Sequence, residues 1–316
     1  MERHSRPQSG PPRSHCTAGV REIKHSEYWD YEQRARVVKT AVIIFPFDLF
    51  GSAGTAAGAQ LIADELREIL ADNRRERIRT RARAYTSKAK LREFSFENIA
   101  DYEKWRELGR QAAREALDTG DFLLWIAGNH LGALPVYDEI AAGSTDTLVI
   151  QFDAHLDIHE FADCTQELSH GNFLRHIDGK TPQIINVGHR DLLLRQEDIG
   201  KYYKRHYPAS ALAVDPEPFL KELRAGSIAA ERVIVDIDCD VFDTAYFPAA
   251  AQPVPFGLSP SLVLRFLEAV WSPRVAGVLV SEFDPSRDKD DRSLATLVWL
   301  LEWMLLKRHE KAKPDS

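Results

Sequence analysis

The stretch Thr147-Leu-Val-Ile-Gln-Phe-Asp-Ala-His-Leu-Asp157 passes from a short, mostly apolar run into a cluster of acidic and imidazole side chains. An apolar run without polar alternation is typical of a strand that is buried on both faces of a parallel sheet. The polar cluster follows at the carboxyl end of this strand, where open parallel sheets build their sites. The stretch therefore predicts an α/β fold and a functional site at one edge of its sheet.

Five further runs have the same character and alternate with amphipathic patterns that predict helices. The predicted strands are Thr40–Pro46, Phe122–Ala127, Gln183–Val187, Arg232–Ile237 and Ala276–Val280. The predicted helices are Gly58–Asp72, Asp101–Leu117, Pro216–Arg224, Pro260–Trp271 and Ser293–Lys307. Strands that alternate with helices are joined by crossovers, so we expect one parallel sheet covered by helices on both faces.

Composition limits the classes of function. The 316 residues carry 41 Lys+Arg and 48 Asp+Glu, a formal net charge of -7 that argues against a nucleic-acid partner or an anionic membrane surface. Three widely separated cysteines indicate neither a disulfide framework nor a zinc cluster. No run is long and apolar enough for a signal peptide or a membrane span, so we expect a cytoplasmic protein. Residues 1–38 are expected to form a disordered extension before a single catalytic domain at residues 39–316.

Four of the predicted strands end in polar clusters. The clusters are Gly128-Asn-His130, Asp153-Ala-His155-Leu-Asp157, Asp236-Ile-Asp-Cys-Asp240 and Ser281-Glu282. The carboxyl ends of parallel strands share one edge of the sheet, so these clusters are expected to meet in one crevice. Alternate residues of an extended segment point the same way, which crowds the carboxylates together unless cations neutralise them. We therefore expect a metal site.

Six side chains are candidate metal ligands: His130, Asp153, His155, Asp157, Asp238 and Asp240. Four carboxylates and two imidazoles are too many for one zinc ion and suit two divalent ions with bridging carboxylates. A majority of hard oxygen donors favours Mn²⁺. A hydroxide held between two such ions is available at neutral pH, so the expected chemistry is hydrolysis.

The clusters resemble the signature of the ureohydrolase superfamily, which contains arginases, agmatinases, guanidinobutyrases and formimidoylglutamases. The boxes are Gly128-Asn-His130, Asp153-Ala-His155-Leu-Asp157, Asp238-Cys-Asp240-Val-Phe-Asp243 and Val280-Ser-Glu282-Phe-Asp-Pro285. They are similar, in this order, to Gly-Gly-Asp-His, Asp-Ala-His-x-Asp, Asp-x-Asp-x-x-Asp-Pro and Val-Glu-x-Asn-Pro. Asn129 stands in place of the usual aspartate of the first box, and Thr244 in place of the usual proline of the third.

The resemblance implies a three-layer α/β/α fold around a mostly parallel sheet of about eight strands, and a homo-oligomer, either trimer or hexamer. One Mn²⁺ would be held by His130, Asp153, Asp157 and Asp238, and the second by His155, Asp153, Asp238 and Asp240. Glu282 would pair with a substrate guanidinium, unless it forms an ordinary salt bridge. His170 would pass a proton to the leaving amine, unless it only occupies the first turn of a helix capped by Ser169.

The resemblance also implies a small guanidino or amidine substrate that is cleaved to urea or a related product. The loop from Asp157 to His170 lacks the Asn/Thr/Ser set with which arginases hold an α-amino acid, and Asp191 is followed by three leucines. We therefore expect an agmatine-like or other non-arginine substrate. Alternatives are an arginase proper, a formimidoylglutamase, an amide-hydrolysing enzyme like the deacetylases, and a non-catalytic metal-binding pseudoenzyme.

Overall fold

Parallel strands form the middle layer of the protein in a computed structural model, which describes residues 39–78, 80–160 and 167–310. The strands of these residues are Thr40–Phe45 (β1), Ala89–Glu93 (β2), Phe122–Ala127 (β3), Thr147–Phe152 (β4), Gln183–Val187 (β5), Arg205–Tyr207 (β6), Arg232–Asp238 (β7) and Val275–Ser281 (β8). They form one eight-stranded sheet in the order β2-β1-β3-β8-β7-β4-β5-β6, and every neighbouring pair is parallel.

Helices connect successive strands. They are Thr55–Arg75 (α1), Ile99–Glu103 (α2), Trp105–Thr119 (α3), Leu134–Ala142 (α4), Gln196–Ile199 (α5), Ala209–Val214 (α6), Glu217–Ala229 (α7), Pro260–Val270 (α8) and Arg292–His309 (α9). Short 3-10 helices are Arg81–Ala84, His130–Ala133, His170–His176, Cys239–Val241 and Pro285–Arg287. Local sequence fixes several ends. For example, α8 starts with Pro260 after Ser259, whose hydroxyl accepts the Leu262 N–H.

Two hydrophobic cores lie on opposite faces of the sheet, because alternate strand residues point to opposite sides. On one face, Ile44 belongs to a core with Ile62 of α1 and Phe266 of α8, to which α7 and α9 also contribute. On the other face, Phe45 belongs to a core with Ala113 of α3 and Ile140 of α4. The architecture is therefore the three-layer α/β/α sandwich that the resemblance implied.

The six strands predicted from apolar runs are all present, within a residue or two of their predicted ends. The predicted helix over Asp101–Leu117 is interrupted at Lys104, which separates α2 from α3. The predictions missed β2, β6 and α4, and also the short helices α5 and α6. No helix within the described residues is long and apolar enough to cross a membrane.

The described residues from 39 to 310 belong to one compact unit. The predicted disordered extension, residues 1–38, lies outside the described residues. Residues 161–166, in the loop before His170, also lie outside them. The predicted division into an extension and a single catalytic domain therefore stays a prediction.

Candidate metal centre and its surroundings

The four polar clusters lie at the carboxyl ends of β3, β8, β7 and β4, which are consecutive in the middle of the sheet. His130 opens a 3-10 helix just after β3, and Asp153 follows β4 directly. Asp238 is the last residue of β7, and Glu282 follows β8. The structure thus brings the sequence-predicted side chains together at one edge, as the strand pattern indicated.

His130 faces three carboxylates with one ring nitrogen. Its Nδ1 lies 2.8 Å from Asp157 Oδ2, 3.2 Å from Asp238 Oδ2 and 3.3 Å from Asp153 Oδ2. All four side chains are buried. Donor atoms at these mutual separations can share a single divalent ion, because metal–ligand distances of about 2.0–2.2 Å put neighbouring ligands roughly 3 Å apart.

A second group of donors forms around His155. Its Nδ1 lies 2.7 Å from Asp240 Oδ2 and 3.9 Å from Asp153 Oδ1. Donor atoms of Asp153, His155 and Asp240 lie within 4.8 Å of one another, as do those of His130, Asp153 and Asp157. Asp153 contributes one oxygen to each group, so it stands where a bridging carboxylate would be needed.

Backbone geometry holds these carboxylates in place. Asp240 Oδ1 accepts the Ala154 N–H at 3.0 Å, which joins the segments that follow β4 and β7. Asp238 Oδ1 accepts the Asp240 N–H at 2.9 Å, so its Oδ2 is the oxygen that faces His130. Asp157 adopts a left-handed backbone conformation with φ of 47°. Such strain in a non-glycine residue is concentrated at functional sites.

The electrostatics of the metal-free cluster are unfavourable for packed carboxylates. Burial, together with repulsion from Asp157 and Asp240, raises the pKa of Asp153 to about 7. Burial disfavours the cationic form of His155, but the Asp240 carboxylate outweighs it and raises the pKa of His155 to about 10. In return, His155 overcomes the effect of burial on Asp240 and lowers its pKa to about 2. These opposing shifts have one cause: the packed carboxylates favour positive charge among them, which divalent ions would supply.

The donor set fits divalent metal ions. His130 Nδ1 and Asp153 Oδ2 are buried atoms without a hydrogen-bond partner, although they lie only 3.3 Å apart. A buried nitrogen that faces three carboxylate oxygens needs a cation among them. Imidazole nitrogens with a majority of carboxylate oxygens suit Mn²⁺ and related ions better than a thiolate-binding metal. The nearby Cys239, between Asp238 and Asp240, is fully buried and belongs to the hydrophobic core.

Glu282 and His170 lie beside the cluster. Glu282 Oε1 accepts the His130 N–H at 2.9 Å and lies 3.0 Å from His170 Nδ1. Burial lowers the pKa of His170, but the hydrogen bond to Glu282 outweighs it and raises the pKa. Glu282 Oε2 is buried and has no hydrogen-bond partner. Like Asp157, Glu282 has a positive φ, at 63°. The carboxylate is therefore held by one oxygen and presents the other.

The loop after β1 packs over His170. The His170 N–H donates to Phe50 O at 3.1 Å, and Ser52 Oγ lies 3.5 Å from His170 Nδ1. A Cβ on Gly51 would lie 2.7 Å from Asn129 Nδ2 and from the His170 ring, so only glycine allows this approach. On the other side, Gln252 Nε2 lies 3.2 Å from His170 Nε2.

Arg190 connects the segment after β5 with segments after β7 through hydrogen bonds to backbone carbonyl groups. Its guanidinium donates to the carbonyl oxygens of Gly188 and Val241 at 3.1 and 3.0 Å, and to those of Asp240 and Val254. Burial lowers its pKa, and the neighbouring acidic cluster opposes that effect. This arginine ties the segment after β5 to those that carry the metal-site aspartates. Sequence reasoning did not single it out, because an arginine that binds carbonyl groups leaves no spacing signal.

Asp236 is a further residue whose role the sequence did not reveal. Its Oδ2 lies 2.9 Å from His130 Nε2 and accepts the Tyr137 hydroxyl at 2.6 Å. The sequence shows Asp236 in the acidic run of β7, where its spacing from Asp238 places both side chains on one face of the strand. The contact between Asp236 and His130 is visible only in the structure. Of the other histidines, His159 pairs with Asp191 at 3.4 Å.

A comparison with protein-family models decides the family. The model described as "Arginase family" matches residues 38–306. The chain belongs to the arginase family. This match includes all four boxes, so the resemblance to the ureohydrolases is confirmed, and the match is far longer than the half of the chain on which the resemblance rested.

Relatives named as formimidoylglutamase and agmatinase are similar to this chain at low identity. A formimidoylglutamase from Halobacterium salinarum is 27% identical over 191 residues, which cover 58% of this chain and 62% of the relative. An agmatinase from Bacillus anthracis is 28% identical over 195 residues, 60% of this chain and 65% of the relative. The chain thus spans less than two thirds of the length of these relatives.

Solved structures of the arginase family share the fold. A formimidoylglutamase from Bacillus subtilis superposes with a TM-score of 0.71 at 19% identity, covering 88% of this chain and 90% of the other. An arginase from the same species gives 0.68 at 20% identity, with 87% and 99% covered. The agmatine ureohydrolase of Thermoplasma volcanium gives 0.68 at 19% identity, with 86% and 90% covered.

Proposed function

We propose that this arginase-family protein is a hydrolase that uses two Mn²⁺ ions to cleave a C–N bond of a small guanidino or amidine compound. The observation that carries the proposal is the placement of Glu282. Its Oε2 is a buried acceptor without a partner, while its Oε1 is fixed on the first ligand histidine and on His170. A buried, partnerless carboxylate oxygen beside two groups of metal donors fits a cationic, hydrogen-bond-donating substrate.

Two sets of ligands account for two ions. We assign one ion to His130, Asp153, Asp157 and Asp238, and the other to His155, Asp153, Asp238 and Asp240. When bound, such a pair of ions supplies a water nucleophile that is activated at neutral pH. The supporting observation is the separation of His130 Nδ1 and His155 Nδ1 into two donor groups that share Asp153.

Glu282 would bind and orient the substrate. A planar guanidinium or amidinium presents parallel N–H donors, and a carboxylate accepts them with good geometry. Oε1 of Glu282 accepts the His130 N–H, which keeps this carboxylate beside the first group of metal donors. The bound carbon would then be held against the ligand cluster, which is the positioning that hydrolysis needs.

His170 would move the proton that the leaving nitrogen requires. A carboxylate only accepts hydrogen bonds, so the His170 nitrogen that faces Glu282 is its donor, Nδ1–H. Nε2 is then the atom that takes up a proton and returns it to the amine. In the overall reaction one water is added, the C–N bond breaks, and a guanidinium yields urea and a protonated amine.

The substrate is proposed to lack the α-amino acid end of arginine. Asp191 Oδ1 accepts the N–H groups of Leu193 and Leu194, and Oδ2 lies 3.4 Å from His159 Nε2. The side chains of Leu192 and Leu193 are 93% and 91% exposed. This stretch after β5 therefore presents apolar side chains and an engaged carboxylate, which favours an agmatine-like or other small guanidino compound over arginine.

A panel of substrates tests the proposal. Purified protein loaded with Mn²⁺ is incubated separately with arginine, agmatine, guanidinobutyrate, guanidine and formimidoylglutamate, and urea, ammonia and formamide are measured. We expect turnover of at least one compound other than arginine. Activity on arginine alone would contradict the substrate assignment. Absence of turnover across the panel, with cleavage of an acetylated amine instead, would contradict the proposed reaction.

The assembly and location follow the family resemblance. We propose a homo-oligomer, trimer or hexamer, in the cytoplasm, without nucleic-acid or membrane partners. Light scattering coupled to gel filtration measures the mass of the assembly directly. A mass of three or six chains of 35.8 kDa is expected, and a stable monomer would contradict the proposal.

A further inference from the structure

Asp236 is a fully buried carboxylate beneath the first ligand histidine. It lies on β7, two residues before Asp238, and neither it nor Tyr137 of α4 is exposed. Its Oδ2 lies 2.9 Å from His130 Nε2 and accepts the Tyr137 hydroxyl at 2.6 Å. Its Oδ1 is buried without a hydrogen-bond partner. Burying a carboxylate with so few donors is costly, so its position calls for an explanation.

The contact fixes which nitrogen of His130 carries the hydrogen. A carboxylate that already accepts the Tyr137 hydroxyl has only acceptor oxygens, so His130 Nε2 must be the donor. Nδ1 then presents its lone pair to the oxygens of Asp153, Asp157 and Asp238, at 2.8–3.3 Å. The ring is thus held in the tautomer and the orientation that a metal ligand requires.

We infer that Asp236, clamped by Tyr137, is the positioning residue that orients His130 toward its metal ion. The inference rests on the proposed metal centre. Ligand histidines ordinarily donate their second ring N–H to a carboxylate, which fixes the ring and makes the ligand nitrogen more basic. The structure shows where this chain obtains that carboxylate: from β7, adjacent in the sheet to β8 and β4.

Asn129 does not accept the Nε2–H of His130. It occupies the position at which the ureohydrolase box Gly-Gly-Asp-His has an aspartate. Its amide Nδ2 donates to Leu49 O at 3.0 Å and so holds the loop after β1. Its Oδ1 is buried without a partner. Asn129 directly precedes His130 in the sequence and is therefore the first candidate for that support. The structure instead assigns Asn129 to the loop and Asp236 to the histidine.

The second ligand histidine provides an internal comparison. His155 Nδ1 faces Asp240, but Asp236 is in contact with His130 and not with His155. Loss of Asp236 should therefore weaken one ion and spare the other. A general loosening of the core would weaken both ions or lower the stability of the metal-free protein, so the two explanations are separable.

The test measures Mn²⁺ binding by calorimetry on wild-type protein and on Asp236→Asn, Tyr137→Phe and Tyr85→Phe. Tyr85→Phe is the matched control, because Tyr85 is also fully buried and its hydroxyl also donates to a carboxylate, but to Glu302 of α9 rather than to Asp236. We expect Asp236→Asn to weaken one of two ions by about 10–100-fold and Tyr137→Phe to weaken the same ion by less. Tyr85→Phe should bind both ions as the wild type does. The melting temperature of each metal-free variant shows whether the fold is kept.

Each outcome bears on the inference. Two ions bound by Asp236→Asn and Tyr137→Phe with wild-type affinity would overturn it while leaving the proposed function intact. An equal loss in Tyr85→Phe would overturn it in favour of general packing. If Asp236→Asn does not fold, Tyr137→Phe still decides, since it leaves the carboxylate in place. Wild-type protein that binds no Mn²⁺ would contradict the proposed function and this inference together.

Discussion

His170 Nδ1 lies 3.0 Å from Glu282 Oε1, the same oxygen that accepts the His130 N–H at 2.9 Å. One carboxylate oxygen thus joins the proposed proton carrier to the backbone of the first metal-ligand residue. The second oxygen, Oε2, is left buried and without a hydrogen-bond partner. This arrangement holds the proposed guanidinium partner, proton carrier and metal ligand in fixed relation to one another, which is the property expected of a preorganised site.

Glu282→Gln is expected to abolish most guanidinium recognition without removing the metal ions. The amide keeps the shape of the side chain but loses the charge that a bidentate cation needs. We expect kcat/KM to fall about 100-fold or more, with two Mn²⁺ still bound. Steady-state kinetics and metal analysis measure both. Glu268→Gln is the control, because Glu268 is an exposed carboxylate of α8 that pairs with Lys307 of α9. This variant should keep the wild-type kcat/KM and metal content. Equal activity of Glu282→Gln and wild type would contradict the role.

His170→Asn is expected to lower kcat by about 100–10,000-fold with little change in KM, because it removes a proton carrier rather than a binding contact. His176→Asn is a matched control, since His176 ends the same short helix. In His170→Asn, the plot of kcat against pH should lose the inflection that titration of His170 causes. His176→Asn should keep this inflection. A variant that keeps the wild-type pH profile would show that His170 carries no proton in the reaction.

Asp153 and Asp157 are expected to differ in their effect on metal content. Asp153 gives an oxygen to each donor group, whereas Asp157 belongs only to the group around His130. Asp153→Asn should therefore weaken both ions, and Asp157→Asn mainly one. Competition with a chelator followed by elemental analysis measures the ions retained. Identical retention in the two variants would argue against a shared Asp153.

The buried His309 is expected to make the stability of the protein without bound metal depend on pH. It is buried, its Nε2 lies 2.7 Å from Thr40 Oγ1, and burial with nearby Lys88 and Arg308 lowers its pKa to about 4. Between its ordinary pKa near 6.5 and about 4, the unfolded chain binds the proton and the folded protein does not. Stability contributed by His309 is therefore lost as the pH falls, by about 2 kcal/mol from pH 7 to pH 5.

Urea unfolding at the two pH values checks this expectation. His309→Gln should show a smaller loss of unfolding free energy on acidification than the wild type, by roughly the same 2 kcal/mol. Comparison of the two proteins cancels the contribution of the carboxylates at the metal centre. If the unfolding free energy of His309→Gln and of the wild type depended on pH identically, His309 would not be neutral and buried in the folded protein.

The buried part of the sheet could be predicted from the sequence, and its edges could not. The six predicted strands are apolar because each packs between helices. The two missed strands, β2 and β6, are the outer strands of the sheet, where polar sequences such as Ala89-Lys-Leu-Arg-Glu93 are tolerated. The helix α4 was missed because it is short and most of its residues are buried, so it shows only a weak amphipathic period.

The candidate ligands could be predicted for a different reason. Few residue types bind metal ions, and strand ends place them at one edge of the sheet whatever the loops do. The supporting contacts could not be predicted, because they depend on distances between side chains. Asp236 is part of the acidic run of β7, yet only the register of β3 beside β8 and β7 brings His130 above it. Arg190 binds backbone carbonyls, which no motif records.

The number of Mn²⁺ ions bound by each chain tests the central claim most directly. Purified protein is stripped with a chelator, reloaded with Mn²⁺, separated from free metal by gel filtration and measured by elemental analysis against protein concentration. Two ions per chain, with electron paramagnetic resonance showing that they are coupled, is the result that the two donor groups sharing Asp153 predict. One tightly bound zinc ion in their place, or no retained metal, would contradict the account.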